Sequence, residues 1–394
     1  MALFSLPDLR EKDFTAHNEE SHALWRAFQE KTHSRVPMRL NTNPRILMLD
    51  PKYNTRGVRY QDYITDPELM AQAVLEHQYF LRFILPGDHE KGLPERWNLW
   101  LDFENLYDAA WFGCPVWYRE NQVPDAEPIL NDDNKRMLFD RGVPDPFKGE
   151  WAERAVQFVD YYRAKCAGGW TYLERPVAPP DNARFEGCDG VFTVAASLRG
   201  ATELCMDLLT DPGYVHELLD FISTALIARM TAWREYLGRP VRQDAFVMAD
   251  DSIQLLSLEQ YKEFVLPLHR RFYDAFATEK DRWMHLCGNA QRHFPTIYKE
   301  LGVTAFDTGF PVDFEQFRRA LGPDVLIAGG PRVSFFLEED PTPLVTETKR
   351  ILESGILEGG RVIMQEGNNL PPLARLPVCE AFYETVKEFG ALPS

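Results

Sequence analysis

The chain has 394 residues, enough for two ordinary domains or one large α/β barrel with insertions. Its 45% hydrophobic and 26% charged content is that of a soluble globular protein, and its apolar runs are too short to span a membrane. A formal net charge of −17 argues against non-specific binding to nucleic acid or to anionic lipid.

The N-terminus, MALFSLPDLREKDFTAHNEE, has no basic leader and no sustained apolar core, and acidic residues arrive early. It does not read as a signal peptide, and residues 1–35 are expected to form a helical extension. The six cysteines are scattered (Cys114, Cys166, Cys188, Cys205, Cys287 and Cys379) and fit reduced thiols in a cytoplasmic protein. VPMRLN (36–41) and RILML (45–49) are candidates for a first strand or a hairpin. NLYDAAWFGCPVWY (105–118) reads as the second strand region and GVFTVAAS (190–197) as the third. Stretches rich in aromatics and proline at 84–100, 120–150 and 174–186 read as long loops, of the kind that form lids or binding surfaces. Val215, Leu218, Leu219, Ile222, Leu226, Met230, Trp233 and Tyr236 then recur at helical spacing and predict one long amphipathic helix.

From residue 245 onward strands and helices alternate. AFVMAD (245–250) is followed by a helical pattern through Tyr261, Phe264, Val265, Leu268, Phe272 and Phe276. RWMHLC (282–287), VTAFDT (303–308), VLIAGG (325–330) and RVIMQE (361–366) are each followed by a helix, the last two near 342–356 and 375–390. Short connections between alternating elements require parallel strands with right-handed crossovers. No GxGxxG follows any strand, which removes support from a nucleotide-type open sheet. The expected fold class is therefore α/β, a (β/α)8 TIM-type barrel with long loops and an irregular N-terminal segment, as a single domain over 1–394.

A barrel carries its chemistry at the C-terminal ends of its strands. Those ends hold Asp250 and Asp251, His285 and Cys287, Asp307, Gly329–Gly330, then Gln365, Glu366 and the pair Asn368–Asn369. Asp250, Asp251 and Asp307 are the candidates for acid–base work. Asn41, Arg332, Gln365 and Asn368 are the candidates for substrate binding. Residues two apart on a strand share a side, so His285 and Cys287 can face one metal ion, and an imidazole with a thiolate favours zinc. A third ligand would come from Glu366, with Asp251 and Asp307 as alternatives. Each signal also has a plain structural reading. His285 and Cys287 can be ordinary core residues, the adjacent aspartates can cap a helix, and Asn368–Asn369 can serve a turn.

Several segments resemble the uroporphyrinogen decarboxylase-like superfamily. They are GCDGVFTVAASLRGATELCMDLLTDPGYVHELLDFI, DDSIQLLSLEQYKEFVLPLHRR, HLCGN and GVTAFDTG with VDFEQFRRALGPDVLIAGGPRV, together covering about residues 187–390. The resemblance implies a (β/α)8 barrel and either a cofactor-free decarboxylase or a methyltransferase, many of the latter zinc-dependent and exchanging methyl groups with a corrinoid or a thiol. The decarboxylase pattern is incomplete here. Its Arg-Gln-Ala-Gly-Arg segment is replaced by a region with scattered Arg39, Arg45, Arg56 and Arg59, and Asn368 stands where its Gly-His pair would place the histidine. The zinc methyltransferases place a cysteine after the last strand, and Asn368 falls there too. The expectation is a small-molecule methyltransferase with a zinc ion at His285 and Cys287. The chain has no extra length for a corrinoid domain, so a corrinoid would sit on a separate partner protein. A metal-free decarboxylase or lyase and a non-catalytic ligand-binding barrel are the alternatives. Members of this family are often homodimers.

Overall fold

Five short parallel strands form the spine of the molecule: β1 (Phe246–Ala249), β2 (Arg282–Leu286), β3 (Ala305–Thr308), β4 (Leu326–Gly329) and β5 (Val362–Met364). They pair in sequence order, with His285 in register with Ala249 on one side and Asp307 on the other. The computed structural model describes residues 2–392; Met1, Pro393 and Ser394 lie outside the described residues. Strict alternation divides each strand between two environments. Phe246, Met248, Met284, Leu286, Phe306 and Ile327 face outward into the main core, where the covering helices bury them.

Those helices follow the strands one by one, as a βα repeat requires. They are Leu266–Phe276, Phe294–Leu301, Phe314–Leu321, Thr342–Ile351 and Leu376–Phe389. The long amphipathic helix expected from residue 215 runs Pro212–Tyr236, its N-terminus capped by the Asp211 side chain accepting from Tyr214 N–H. Among the described residues no helix is long and apolar enough to cross a membrane.

The barrel continues past β5 through the segment 36–41. Met38 bridges Met364 in parallel, Met364 N–H donates to Pro37 O, and Arg39 N–H donates to Met364 O. The next two staves depart from the sequence reading. Trp97–Asn98 pairs in parallel with Val177–Ala178, and Leu101 N–H donates to Asn182 O. The second stave is therefore WNLWLDF (97–103), partly inside a stretch expected to be loop, and the third lies in 175–189.

Three expected strand regions are helical instead. Residues 45–49 hold a short helix, Arg45–Met48. Within 105–118 the chain forms Tyr107–Trp111 and only a two-residue strand, Val116–Trp117. GVFTVAAS becomes the helix Val191–Arg199. Gly190, at φ +96°, explains the last case, because a Cβ there would strike Ala249 O. The tight contact lets this helix begin directly against the end of β1.

The N-terminal extension is also helical, over Thr15–Glu30, and it has a structural task. Phe28, 5% exposed, packs with Ala305, Leu326, Ala328 and Ile363 in a small second core, with Trp25 and Trp283 at its edge. Ala305 alternates with the outward-facing Phe306, and Ala328 with Ile327, so this second core lies on the inner face of the strands. The helix therefore plugs the floor of the barrel and leaves the opposite end for chemistry.

Candidate metal centre

Adjacent parallel strands put registered residues side by side, so His285 of β2 and Asp307 of β3 are neighbours on the inner face. Asp307 Oδ2 lies 3.0 Å from His285 Nδ1. In the neutral imidazole, with Nδ1 donating to this carboxylate, Nε2 carries the free lone pair, the arrangement that orients metal-binding histidines. Nε2 points to Cys287 Sγ at 3.0 Å and stands 3.9 Å from Asp251 Oδ2. Cys287 N–H donates to Asp251 Oδ1 at 2.6 Å, which ties the loop after β1 to the end of β2. Asp251, His285 and Cys287 thus each offer a ligand atom, all within 4.8 Å of one another.

The set suits zinc in chemistry and number: one imidazole, one thiol and one carboxylate from strand ends, as in catalytic sites that keep a further position for substrate. Burial opposes the imidazolium, but Asp307 and Cys287 outweigh it and hold His285 well above its usual pKa. Burial likewise pushes the Cys287 thiol up, with His285 working against the shift.

Behind His285 the polar chain continues. Gln365 Nε2 donates to Asp307 Oδ1 at 2.5 Å, while Gln365 Oε1 accepts from Arg39 Nε at 3.0 Å and Asn41 Nδ2 at 3.1 Å. Staves from both ends of the chain therefore steady one imidazole. Glu366, expected as a third ligand, is placed elsewhere. It is fully buried, accepts from Asn41 N–H and Nδ2, both at 3.1 Å, and is pushed well above the usual carboxylate pKa by burial. Asp251 offers the third ligand atom beside His285 and Cys287, whereas Glu366 lies on the opposite face from Gln365.

The same alternation separates the two adjacent aspartates. Asp250 is fully buried and turned away from the mouth. It accepts from Phe192 N–H, Thr193 N–H, Thr193 Oγ1 and His269 Nε2 at 2.8–3.0 Å, capping the helix Val191–Arg199. Asn368 is exposed and lines the cavity, whereas Arg332 is exposed with its guanidinium 3.8 Å above the Phe310 ring centre.

The cavity in front of this group has a volume of about 1000 Å³ and is lined by Asp251, His285 and Asp307 at the strand ends. Its other wall comes from the irregular third stave, with Arg184, Glu186 and Asp189, and from Arg45. None of these except Arg45 was singled out from the sequence. The alternation of buried Trp97, Leu99, Leu101 and Phe103 was the available signal, because it would have moved the staves and exposed the cavity wall.

Fold and site define the class: a (β/α)8-type barrel with a His–Cys–carboxylate group at the C-terminal mouth. The model of the uroporphyrinogen decarboxylase (URO-D) family matches residues 184–389, just over half the chain. The chain belongs to the uroporphyrinogen decarboxylase family. A methylated-thiol–coenzyme M methyltransferase of Methanosarcina mazei is 32% identical over 142 residues, covering 35% of this chain and 36% of that protein. The match thus spans about a third of that relative. Among solved structures, a methyltransferase from Methanosarcina mazei superposes with a TM-score of 0.63 at 18% identity, over 93% of this chain and 97% of that one, a likeness of fold.

Proposed function

We propose that this chain is a small-molecule methyltransferase whose zinc ion is held by Asp251, His285 and Cys287. The observation that carries the reading is the oriented imidazole: Asp307 holds Nδ1 at 3.0 Å and leaves Nε2 beside a thiol and a carboxylate at the barrel mouth. The local kinship to a methylated-thiol–coenzyme M methyltransferase supports the choice of methyl transfer over other metal chemistry. Zinc bound there supplies Lewis acidity, lowering the pKa of a thiol acceptor or drawing charge from the leaving heteroatom of a methyl donor. Asp307, Gln365 and Asn41 fix the imidazole, and Asp251 faces the cavity beside it. The other methyl carrier is a thiol or a corrinoid presented by a separate protein.

Elemental analysis of protein purified without a metal-binding tag tests this. About one zinc per chain is expected, lost in both His285→Ala and Cys287→Ala. An active wild-type chain that binds no zinc when zinc is supplied would overturn the reading in favour of metal-free lyase chemistry in the same cavity.

A further inference from the structure

A closed barrel pairs every strand with two neighbours, and here one pairing is missing. β1 is paired with β2 alone, and among the described residues no backbone hydrogen bond joins it to the third stave. The cause lies in the long helix Pro212–Tyr236. Two of its buried arginines take the third stave's carbonyls. Arg229 donates to Phe185 O at 3.2 Å and to Gly187 O at 2.7 Å, and Arg234 to Glu186 O at 3.1 Å. Asp189 N–H is also held by a side chain, Asp108 Oδ2 at 2.8 Å. With these groups engaged, the stave does not ladder onto β1, and a seam stays open between the two.

β1 turns backbone groups toward that seam. A Cβ on Gly190, just after the third stave, would lie 2.2 Å from Ala249 O, so this carbonyl points to the third stave. Peptide groups alternate in direction along a strand, so Val247, two residues earlier, turns its N–H and C=O the same way. Val247 is in the middle of β1 and yet is 54% exposed. Barrel interiors are ordinarily filled by side chains. Here the plug helix packs on β3, β4 and β5, while Ala245, Val247 and Ala249 of the β1 stretch line open cavity. The cavity thus runs from Asp251 at the proposed metal centre down to Gln243, before β1 begins. From Asp251 to Val247 alone, extended chain spans about 13 Å. A volume of about 1000 Å³ stands at the upper end of small-molecule pockets and far exceeds what a simple methyl compound fills.

We propose that the seam beside Val247 is a subsite for an extended, amide-bearing tail, so that the molecule handled at His285 and Cys287 is a long substrate. An amide chain laid along β1 pairs with the Val247 N–H and C=O and supplies the missing edge, as an added strand does. The inference deepens the methyltransferase reading and rests on it for the identity of the reacting end.

The test is calorimetric titration of the zinc-loaded protein with three thiols. N-acetylcysteamine carries one amide on a short tail, and pantetheine carries two on a tail long enough to reach Val247. A thiol-terminated triethylene glycol has similar length and no amide. The wild type is expected to bind pantetheine about 10–100-fold more tightly than either other thiol, the worth of about two backbone hydrogen bonds. In Val247→Phe, whose ring fills the seam, the ratio falls toward one at wild-type zinc content. In Val247→Ala, which leaves the seam and its backbone edge open, the ratio survives. Equal binding of pantetheine and N-acetylcysteamine by the wild type, no binding of pantetheine, or a ratio that survives in Val247→Phe would overturn the subsite. Glycol binding as tight as that of pantetheine would overturn the amide assignment, and this comparison needs no variant. Should the protein prove to hold no zinc, a pantetheine preference abolished by Val247→Phe would still support the seam while the methyltransferase reading failed.

Discussion

At His285 a single proton decides what the side chain can do. The Asp307 carboxylate 3.0 Å from Nδ1 fixes which nitrogen is free, and Gln365 in turn fixes Asp307. Replacing Asp307 by alanine leaves the three ligand atoms in place but unfastens the imidazole. Zinc affinity is expected to fall about 10–100-fold, read by competition with a chromophoric chelator. Unchanged affinity would mean that Asp307 plays no orienting part. Asp189 titrates in the opposite sense to a salt-bridged acid. Burial, then the Asp108 charge, raises it from 3.8 to about 8, with Arg184 and Arg229 opposing and Asp251 adding to the rise. Between those values the unfolded chain ionises this group and the folded chain keeps it protonated, so it lowers stability as pH rises through the window. Asp189→Asn should therefore gain melting temperature relative to the wild type from pH 5 to pH 8. A difference independent of pH would remove the shift. Position along a strand made the convergence of these side chains legible: His285, Cys287, Asp307 and Gln365 all stand where alternation turns strand ends inward. Which neighbouring carboxylate joins them was not legible, since it depends on whether Asp251 or Glu366 faces the mouth. Arg184 and Asp189 escaped notice because no periodic pattern surrounds them.

Elements were legible where each one answers to a single core. The five strands of the second half and the helices over them alternate cleanly because their outward residues meet one helix layer. The first half answers to several constraints at once. GVFTVAAS has the apolar residues of a strand, yet Gly190 and the Asp250 cap start a helix there. WNLWLDF has a strand's alternation but lies among prolines and glycines that suggest a loop. The N-terminal helix shows the same limit, since nothing in its own spacing says that Phe28 enters the barrel floor. That placement carries a measurable cost. Phe28 is 5% exposed and packs on residues from three strands. Phe28→Ala is expected to destabilise the fold by about 3–5 kcal/mol in urea titration, as for other buried phenylalanines. A loss below about 1 kcal/mol would show that the helix rests on the barrel without supporting it.

The whole molecule is tied together at two places that a family match over residues 184–389 does not include: the N-terminal plug and the stave at 36–41. The plug joins the irregular first half to β3, β4 and β5 and the stave joins it to β5, so the chain is expected to unfold as one unit although only its second half is regular. The proposed zinc site offers a way to see this. The proposed ligands, Asp251, His285 and Cys287, come from the ends of β1 and β2, and they converge only in the native state. A ligand that binds the folded state alone, present at 100 times its Kd, adds about 2.7 kcal/mol of stability. Spread over the unfolding entropy of a chain this long, that raises a single transition by about 3 °C. Scanning calorimetry with zinc and with a chelator should give one peak displaced by that amount, and no displacement in His285→Ala. Were the halves independent, the trace would split, with a metal-insensitive peak from the first half and a zinc-dependent peak moved further. That outcome would detach the plug and the first staves from the metal centre, and with them the role of Asn41 and Arg39 in holding Gln365.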